Sequence, residues 1–265
     1  MIICITDRCR MNCSHCMDNC VYSDTNSFMD EKTFISSLKF ALDIIGCKLV
    51  IISGGEPTEH PDFVNYMYIA NDYAKCYNAA ICVCTNGMNF NDEHILEQIK
   101  EFESNGSNVM YQVTNDKRYY PVDVTNIIDN SVFNMENVVY CDSIEVIYPM
   151  GRAVQNNIPY QAKASKCFNI RSLIRYQVSL SKAIKILEGR GKFCTPLINP
   201  SGYIRLGESL LCDRVDDYTV NDVIDDISRL NDIENDICNF KCNNEQCHKI
   251  LQTLPVVCRN AIGEQ

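Results

Sequence analysis

The chain has 265 residues, including 17 cysteines, and carries a formal net charge of −10. Cysteine makes up roughly 6% of the sequence, below the share of about 8–10% that is typical of a small disulfide scaffold. Lys and Arg form no basic stripe, which argues against a nucleic-acid partner. Because neither a secretory segment nor an apolar run of about 18 residues is present, we expect a cytoplasmic protein without a membrane partner. In that compartment clustered cysteines indicate metal binding or redox chemistry rather than disulfides.

Short apolar runs alternate with amphipathic helical patterns along the first part of the chain. Strands are predicted at residues 2–5, 49–52, 79–84, 108–113, 138–141 and 144–147. Helices are predicted at residues 32–45 and 63–75, from residue 92 onward, and at residues 172–187. This alternation predicts an α/β fold with a parallel sheet, with about six βα units before residue 190. The composition changes after Gly191, so we expect one domain at residues 1–190 and a small second domain at residues 191–265.

Three cysteines stand in a C-x3-C-x2-C run directly after the first predicted strand: Cys9, Cys13 and Cys16. Three thiolates on one loop can bind three irons of a [4Fe–4S] cluster and leave the fourth iron open to a substrate or cofactor. The alternative is a zinc site, which would need a fourth ligand such as His15 or Cys20.

This cysteine run resembles the signature of the radical SAM enzymes, in which S-adenosylmethionine (SAM) binds the open iron and is cleaved to a 5′-deoxyadenosyl radical. Three further segments resemble motifs of that family, each after a predicted strand: residues 53–57 (SGGEP), residues 85–87 (TNG) and residues 151–153 (GRA). Each segment alone could be an ordinary loop or helix entry. Together they imply a partial (β/α)6 TIM-like barrel whose site lies at the carboxyl ends of the strands.

The resemblance also implies which residues contact SAM. The Gly-Gly-Glu-Pro segment would hold the methionine amino group on exposed backbone and a carboxylate, and glycine permits that close approach. Gln112 and Thr114 alternate to one face of the fourth strand, where the family holds the ribose and carboxylate of SAM, although a strand end entering a polar loop is the plainer interpretation. The full set of cofactor-binding candidates is His15, Gly54, Gly55, Glu56, Pro57, Thr85, Asn86, Gln112, Thr114 and Gly151. His15 departs from the family, which usually has an aromatic residue before the last cysteine.

A second group of cysteines lies in the C-terminal part. Cys194, Gly207 and Cys212 form a C-x12-G-x4-C pattern around a predicted hairpin turn at residues 200–203, which resembles the start of SPASM and twitch extensions. Further thiols follow at Cys238, Cys242, Cys247 and Cys258. A full SPASM pattern is not met, so we expect one auxiliary [4Fe–4S] cluster on Cys194 and Cys212 with two of Cys238, Cys242 and Cys247. A zinc knuckle is the alternative.

Cysteines in or beside predicted strands, namely Cys4, Cys47, Cys82 and Cys84, are interpreted as small buried apolar residues. Cys20 and Cys167 are candidate hydrogen-atom donors to a substrate radical, as in some radical SAM epimerases.

The resemblance favours a peptide-modifying enzyme that crosslinks, oxidises or epimerises a ribosomal peptide or small protein. It would work with a reductant such as flavodoxin or ferredoxin, and with a separate leader-recognition protein. The alternatives are a small-molecule dehydrogenase, a glycyl-radical activating enzyme and a metal-binding module without SAM chemistry.

Overall fold

The computed structural model describes residues 1–144, 147–148, 150–159, 173–174, 176–188 and 195–239. Its strands are β1 (Ile2–Thr6), β2 (Leu49–Gly54), β3 (Ala80–Thr85), β4 (Val109–Thr114), β5 (Val138–Cys141), β6 (Leu197–Ile198), β7 (Tyr203–Arg205) and β8 (Arg214–Thr219). Its α-helices are α1 (Glu31–Lys39), α2 (Phe63–Tyr77), α3 (Glu93–Ser104), α4 (Gly151–Gln155), α5 (Leu180–Glu188), α6 (Val220–Asp225) and α7 (Arg229–Asn239). A π-helical turn, Phe40–Ile44, continues α1.

The strands form one sheet in the order β5-β4-β3-β2-β1-β6-β7-β8. The first six strands in this order pair in parallel, and β7 and β8 add an antiparallel ribbon at one edge. The chain therefore has an α/β fold with a mostly parallel central sheet, as the alternating pattern predicts.

The two faces of the sheet bury different side chains, because neighbouring residues of a strand point to opposite sides. One face carries Ile3, Val50, Ile81 and Tyr111 and belongs to the large core that α1, α2 and α3 cover. The opposite face carries a smaller apolar cluster of Ile2, Cys4 and Leu197. Aspartates begin two of the covering helices, since Asp30 and Asp92 accept hydrogen bonds from amides of the first turns of α1 and α3.

Five predicted parallel strands and the first three helices are confirmed. The predicted helix at 172–187 is not continuous, because residues 173–174 are helical but residues 176–177 form a turn, and α5 begins at Leu180. The predicted sixth strand at 144–147 falls partly on residues outside the described ones, while Ile144 and Ile147 lie in no strand.

The predicted hairpin turn at residues 200–203 is confirmed. Asn199 accepts hydrogen bonds from the amides of Ser201 and Tyr203, and Gly202 takes a positive φ of 84°. The hairpin strands β6 and β7 extend the sheet next to β1, so both predicted domains share one sheet. The predicted boundary near residue 190 lies outside the described residues. In the described part of the chain, no helix is long and apolar enough to cross a membrane.

Candidate functional site

The loop after β1 contains residues 9–20, which we call the cysteine loop. Three of the predicted cluster cysteines in this loop line one cavity of about 250 Å³. Cys9 and Cys13 are buried and Cys16 is half-buried. The cavity also contains groups from the loops after β2 and β3, among them Gly55, Glu56, Thr85 and Asn86. The fold therefore brings the cysteine run and two of the other motifs together at the carboxyl ends of adjacent parallel strands, where sites of such folds assemble.

Glu56 places a carboxylate inside this cavity with only 1% of its surface exposed. Its Oε1 accepts hydrogen bonds from the hydroxyls of Thr58 at 2.7 Å and Thr85 at 2.6 Å. Its Oε2 accepts one from the backbone amide of Asn86 at 2.7 Å. Burial raises the pKa of Glu56, and these hydrogen bonds oppose that shift. The carboxylate is thus held in a fixed orientation in which it can receive a cationic group.

Gly54 and Gly55 permit a close approach of two backbone segments. A Cβ on Gly54 would lie 2.1 Å from the carbonyl oxygen of Thr6, and one on Gly55 would lie 2.2 Å from that of Arg8. The amides of Gly55 and Glu56 donate hydrogen bonds to these same oxygens at 2.8 and 2.7 Å. The glycines therefore fit the loop after β2 against the start of the cysteine loop.

Only some of the other SAM-contact candidates line the cavity. Asn86 lines it, and the Nδ2 of Asn86 lies 3.8 Å from the Sγ of Cys9. Thr114 also lines the cavity, whereas Gln112 and Pro57 are not among its lining residues. Pro57 instead begins a buried 3-10 turn.

His15 lines the same cavity from the cysteine loop. Its ring contacts the rings of Tyr119 and Tyr120 at centroid distances of 5.1 and 5.4 Å. Burial lowers the pKa of His15 to about 4, so the imidazole is neutral at physiological pH. A neutral, aromatic-packed imidazole at this point can present a flat face or a hydrogen-bonding nitrogen to a bound molecule.

The thiols of the cysteine loop differ in acidity. Burial raises the pKa of Cys9 to about 12 and shifts that of Cys13 in the same direction. A hydrogen bond from Cys20 lowers the pKa of Cys16 to about 5. As free groups Cys9 and Cys13 remain protonated, so a bound metal centre is what would hold them as thiolates.

The arrangement of the cysteines also bears on the kind of metal centre. Within the described residues, no three His, Cys, Asp or Glu side chains converge so that they could hold one metal ion. A [4Fe–4S] cluster makes a different demand, since each cysteine binds its own iron. Three separate cysteines that line one cavity, as Cys9, Cys13 and Cys16 do, fit that demand.

Several residues that line the cavity are not among the site candidates predicted from the sequence. Cys84 was assigned to the core, yet it faces the cavity from β3. The sheet register, which the sequence alone does not show, pairs Cys84 with Gln112, a residue of the strand face that is predicted to contact SAM. Tyr120, Tyr148 and Arg152 also line the cavity, although none of them is predicted as a site residue from the sequence. Of the hydrogen-donor candidates, Cys20 is buried against the cavity, whereas Cys167 lies outside the described residues.

The second cysteine group is described only in part. Cys212 is half-buried in the loop between β7 and β8, and Cys238 is half-buried near the end of α7. Cys194, Cys242, Cys247 and Cys258 lie outside the described residues. The loop that leads to Cys212 is attached to the cysteine loop, because Asp18 accepts hydrogen bonds from the Ser209 hydroxyl and the Leu210 amide.

Comparison with known proteins finds one family model that matches the N-terminal part of the chain and solved structures with a similar fold. Residues 3–132 match the model of the Radical SAM superfamily. The uncharacterized protein MJ0907 of Methanocaldococcus jannaschii is 30% identical over 105 residues, which are 39% of this chain and 35% of that protein. The match therefore spans about a third of the length of this curated relative.

Two solved structures share the fold. One is BtrN in complex with AdoMet and 2-DOIA, with a TM-score of 0.54, 16% identity and coverage of 92% of both chains. The other is Streptococcus suis SuiB bound to the precursor peptide SuiA, with a TM-score of 0.51, 13% identity and coverage of 93% of this chain and 68% of that chain.

Proposed function

We propose that this chain, whose residues 3–132 match the model of the Radical SAM superfamily, is a radical SAM enzyme that binds a [4Fe–4S] cluster on Cys9, Cys13 and Cys16 and SAM beside it. The observation that carries the proposal is that these thiols share one cavity with the buried carboxylate of Glu56. When bound, the cluster and SAM would supply the one-electron chemistry that removes a hydrogen atom from a substrate.

The protein's own residues orient SAM in this proposal. Glu56 accepts the methionine amino group, since its carboxylate is fixed by Thr85 and Asn86 and is turned into the cavity. His15, from the loop after β1, and Thr114, at the end of β4, would contact the nucleoside, since both line this cavity. Cys9, Cys13 and Glu56 are buried, which limits the access of water and of stray hydrogen donors to this part of the cavity.

The substrate class we favour is a ribosomal peptide or small protein. Support comes from the Gly151–Ala153 segment and the SPASM-like cysteine spacing in the sequence, and from the neighbour SuiB, which was solved with a precursor peptide. We also propose one auxiliary [4Fe–4S] cluster on Cys194 and Cys212 with two of Cys238, Cys242 and Cys247, on the basis of the cysteine spacing. A reductant of the flavodoxin or ferredoxin type would supply the electron.

A small-molecule substrate is the second candidate. The neighbour BtrN, solved with AdoMet and 2-DOIA, matches this chain over 92% of the length of both proteins. SuiB extends further, since this chain covers 68% of it. The observation that favours this candidate is that a neighbour of similar fold was solved with AdoMet and 2-DOIA and not with a peptide.

Anaerobic reconstitution tests the proposed chemistry. Iron-loaded protein reduced with dithionite is expected to convert SAM to 5′-deoxyadenosine and methionine, measured by liquid chromatography. Replacing Cys9, Cys13 and Cys16 together by Ala should abolish this conversion. Cys76→Ala is the matched control, because Cys76 is an exposed thiol on α2. Equal conversion by the triple variant and the control would refute the proposal.

A second experiment separates the two substrate classes. The protein is incubated with SAM and either peptides encoded beside its gene or a panel of sugars and amino sugars, and products are identified by mass spectrometry. A mass change in a peptide supports peptide modification, and a change only in the small molecules supports the second candidate.

Iron analysis tests the number of clusters, since one cluster contributes about four irons per chain and two contribute about eight. Replacing Cys194 and Cys212 by Ala should then lower a count of about eight to about four.

A further inference from the structure

The first turn of α4 lies directly against the cysteine loop through Arg152. The Nε of Arg152 donates a hydrogen bond to the carbonyl oxygen of Cys13 at 2.8 Å. Its Nη1 donates to the carbonyl oxygen of Cys20 at 3.0 Å, and its backbone amide donates to that of Cys16 at 2.8 Å. One residue thus holds three carbonyl groups that lie along the cysteine loop.

Neighbours of Arg152 strengthen this contact. Gly151 has a positive φ of 55°, and a Cβ there would lie 2.5 Å from the carbonyl oxygens of both Cys16 and Met17. The Nδ2 of Asn156, one turn further along, donates to the carbonyl oxygen of Ser14 at 2.8 Å. The glycine therefore allows α4 to approach the loop closely enough for the arginine fork to reach it.

The Arg152 guanidinium also brings a positive charge to the cavity of the cluster cysteines. It lines the same cavity as the thiols of Cys9, Cys13 and Cys16. A guanidinium is always charged, and its donors stand in a fixed planar fork that a lysine ammonium does not reproduce. A positive charge beside an iron–sulfur cluster favours the reduced, more negative state and so raises its reduction potential.

We propose that Arg152 is a positioning residue that holds the cysteine loop in its cluster-binding shape and, by its charge, raises the reduction potential of the bound cluster. This rests on the proposed function only for the second effect. The first effect belongs to the polypeptide and can be measured before any cluster is added.

Two variants separate the two effects. Arg152→Lys keeps a positive charge but loses the fork, whereas Arg152→Met loses both. Arg229→Met is the matched control, because Arg229 is partly exposed on α7 and does not contact the cysteine loop. Circular dichroism and thermal unfolding establish that each variant is folded.

Hydrogen–deuterium exchange of the cluster-free protein tests the positioning effect. Amides of residues 9–20 are expected to exchange about tenfold faster in both Arg152 variants than in wild type, because hydrogen bonds that close the loop are lost. The Arg229→Met protein should exchange at the wild-type rate in this segment. Unchanged exchange in Arg152→Lys and Arg152→Met would overturn the positioning role, and if Arg152→Met does not fold, the Lys variant alone decides.

Spectroelectrochemical titration of the reconstituted protein tests the charge effect. The midpoint potential is expected to be more negative in Arg152→Met than in wild type and to be largely retained in Arg152→Lys. Equal potentials in wild type and Arg152→Met would overturn this part. If wild type takes up no cluster, the proposed function fails and the charge effect falls with it, whereas the exchange result still decides the positioning role.

Discussion

The carboxylate of Glu56 and the backbone amide of Asn86 are 2.7 Å apart, and their hydrogen bond joins the loop after β2 to the loop after β3. Thr85 adds a second connection, because its hydroxyl donates to the other carboxylate oxygen at 2.6 Å. Two neighbouring strands thus fix a buried negative group before any ligand arrives. Such a fixed group favours a cation without a cost of reorganisation when the cation binds.

Glu56→Gln is expected to lower both stability and SAM affinity. The glutamine side chain keeps only one acceptor oxygen. Its NH2 group must therefore face either the backbone amide of Asn86 or the two threonine hydroxyls, all of which donate to Glu56 in the wild-type protein. A buried donor left without a partner costs about 1–3 kcal/mol in the free energy of unfolding, which urea titration measures. Equilibrium dialysis with reconstituted protein should show weaker SAM binding, because the negative charge is lost.

The control for this change is Glu97→Gln, since Glu97 is exposed on α3. It should leave the free energy of unfolding within about 0.5 kcal/mol of wild type. SAM binding by Glu56→Gln at wild-type affinity would contradict the role of the carboxylate.

Gly55→Ala is expected to disturb the cysteine loop. The added Cβ would lie 2.2 Å from the carbonyl oxygen and 2.6 Å from the carbonyl carbon of Arg8, and backbone atoms cannot move aside cheaply. Overpacking of this kind costs about 1–3 kcal/mol or more, and it displaces the residue that precedes Cys9. Lower iron uptake on reconstitution, measured by a colorimetric iron assay, should accompany the loss of stability.

Gly106→Ala provides the comparison, because a Cβ at Gly106 meets nothing within 4 Å and only the positive φ of 63° opposes it. That strain costs about 1–2 kcal/mol without reaching the site. Iron uptake that falls equally in both variants would show that general destabilisation, and not the contact with Arg8, is responsible.

Much of the site is predictable from the sequence because its parts are local. A short cysteine run after an apolar strand, and a glycine pair before Glu56, each follow from the residues themselves. Parallel strands then bring their carboxyl ends to one edge of the sheet, which places the motifs together.

Other parts depend on contacts between distant segments and leave little signal in the sequence. The pairing of β6 with β1 joins residues nearly 200 positions apart. The bonds of Arg152 to the cysteine loop likewise span more than 130 positions. Cys84 was missed for a different reason, since a cysteine in an apolar strand is usually a buried core residue and only the sheet register shows which face it takes.

Because of His60, the free energy of unfolding is expected to decrease as the pH drops below about 6.5, which is the usual pKa of a histidine in an unfolded chain. His60 is 3% exposed, and burial lowers its pKa. Its Nε2 lies 3.0 Å from the carbonyl oxygen of Met29, and its Nδ1 accepts a hydrogen bond from the amide of Asp62. Because the unfolded chain takes up the proton first, this stability is present above about pH 6.5 and is lost at lower pH.

Urea unfolding at several pH values between about 8 and about 5 measures this effect. His60→Gln should be less stable than wild type at the upper end and should lose less stability on acidification. His94→Gln is the matched control, because it removes an exposed histidine at the start of α3. A pH dependence that is the same in both variants would mean that His60 is not a source of the acid sensitivity.

Asp18 is expected to control the loop that leads to Cys212. Its Oδ1 accepts hydrogen bonds from the hydroxyl of Ser209 and, at 2.7 Å, from the amide of Leu210, and Ser209 is buried. Asp18→Ala leaves both donors without this acceptor, at a cost of about 1–3 kcal/mol each. Hydrogen–deuterium exchange should therefore become faster in residues 206–212.

Asp18→Asn separates the hydrogen bonds from the charge, because both donors use one oxygen and an asparagine side chain keeps one. Exchange in residues 206–212 should stay near the wild-type rate in this variant. If Asn behaves like Ala, the charge of Asp18 rather than its acceptor oxygen attaches the loop. If neither variant changes the exchange rate, the loop is held by other contacts, and the cysteine loop does not fix the position of Cys212.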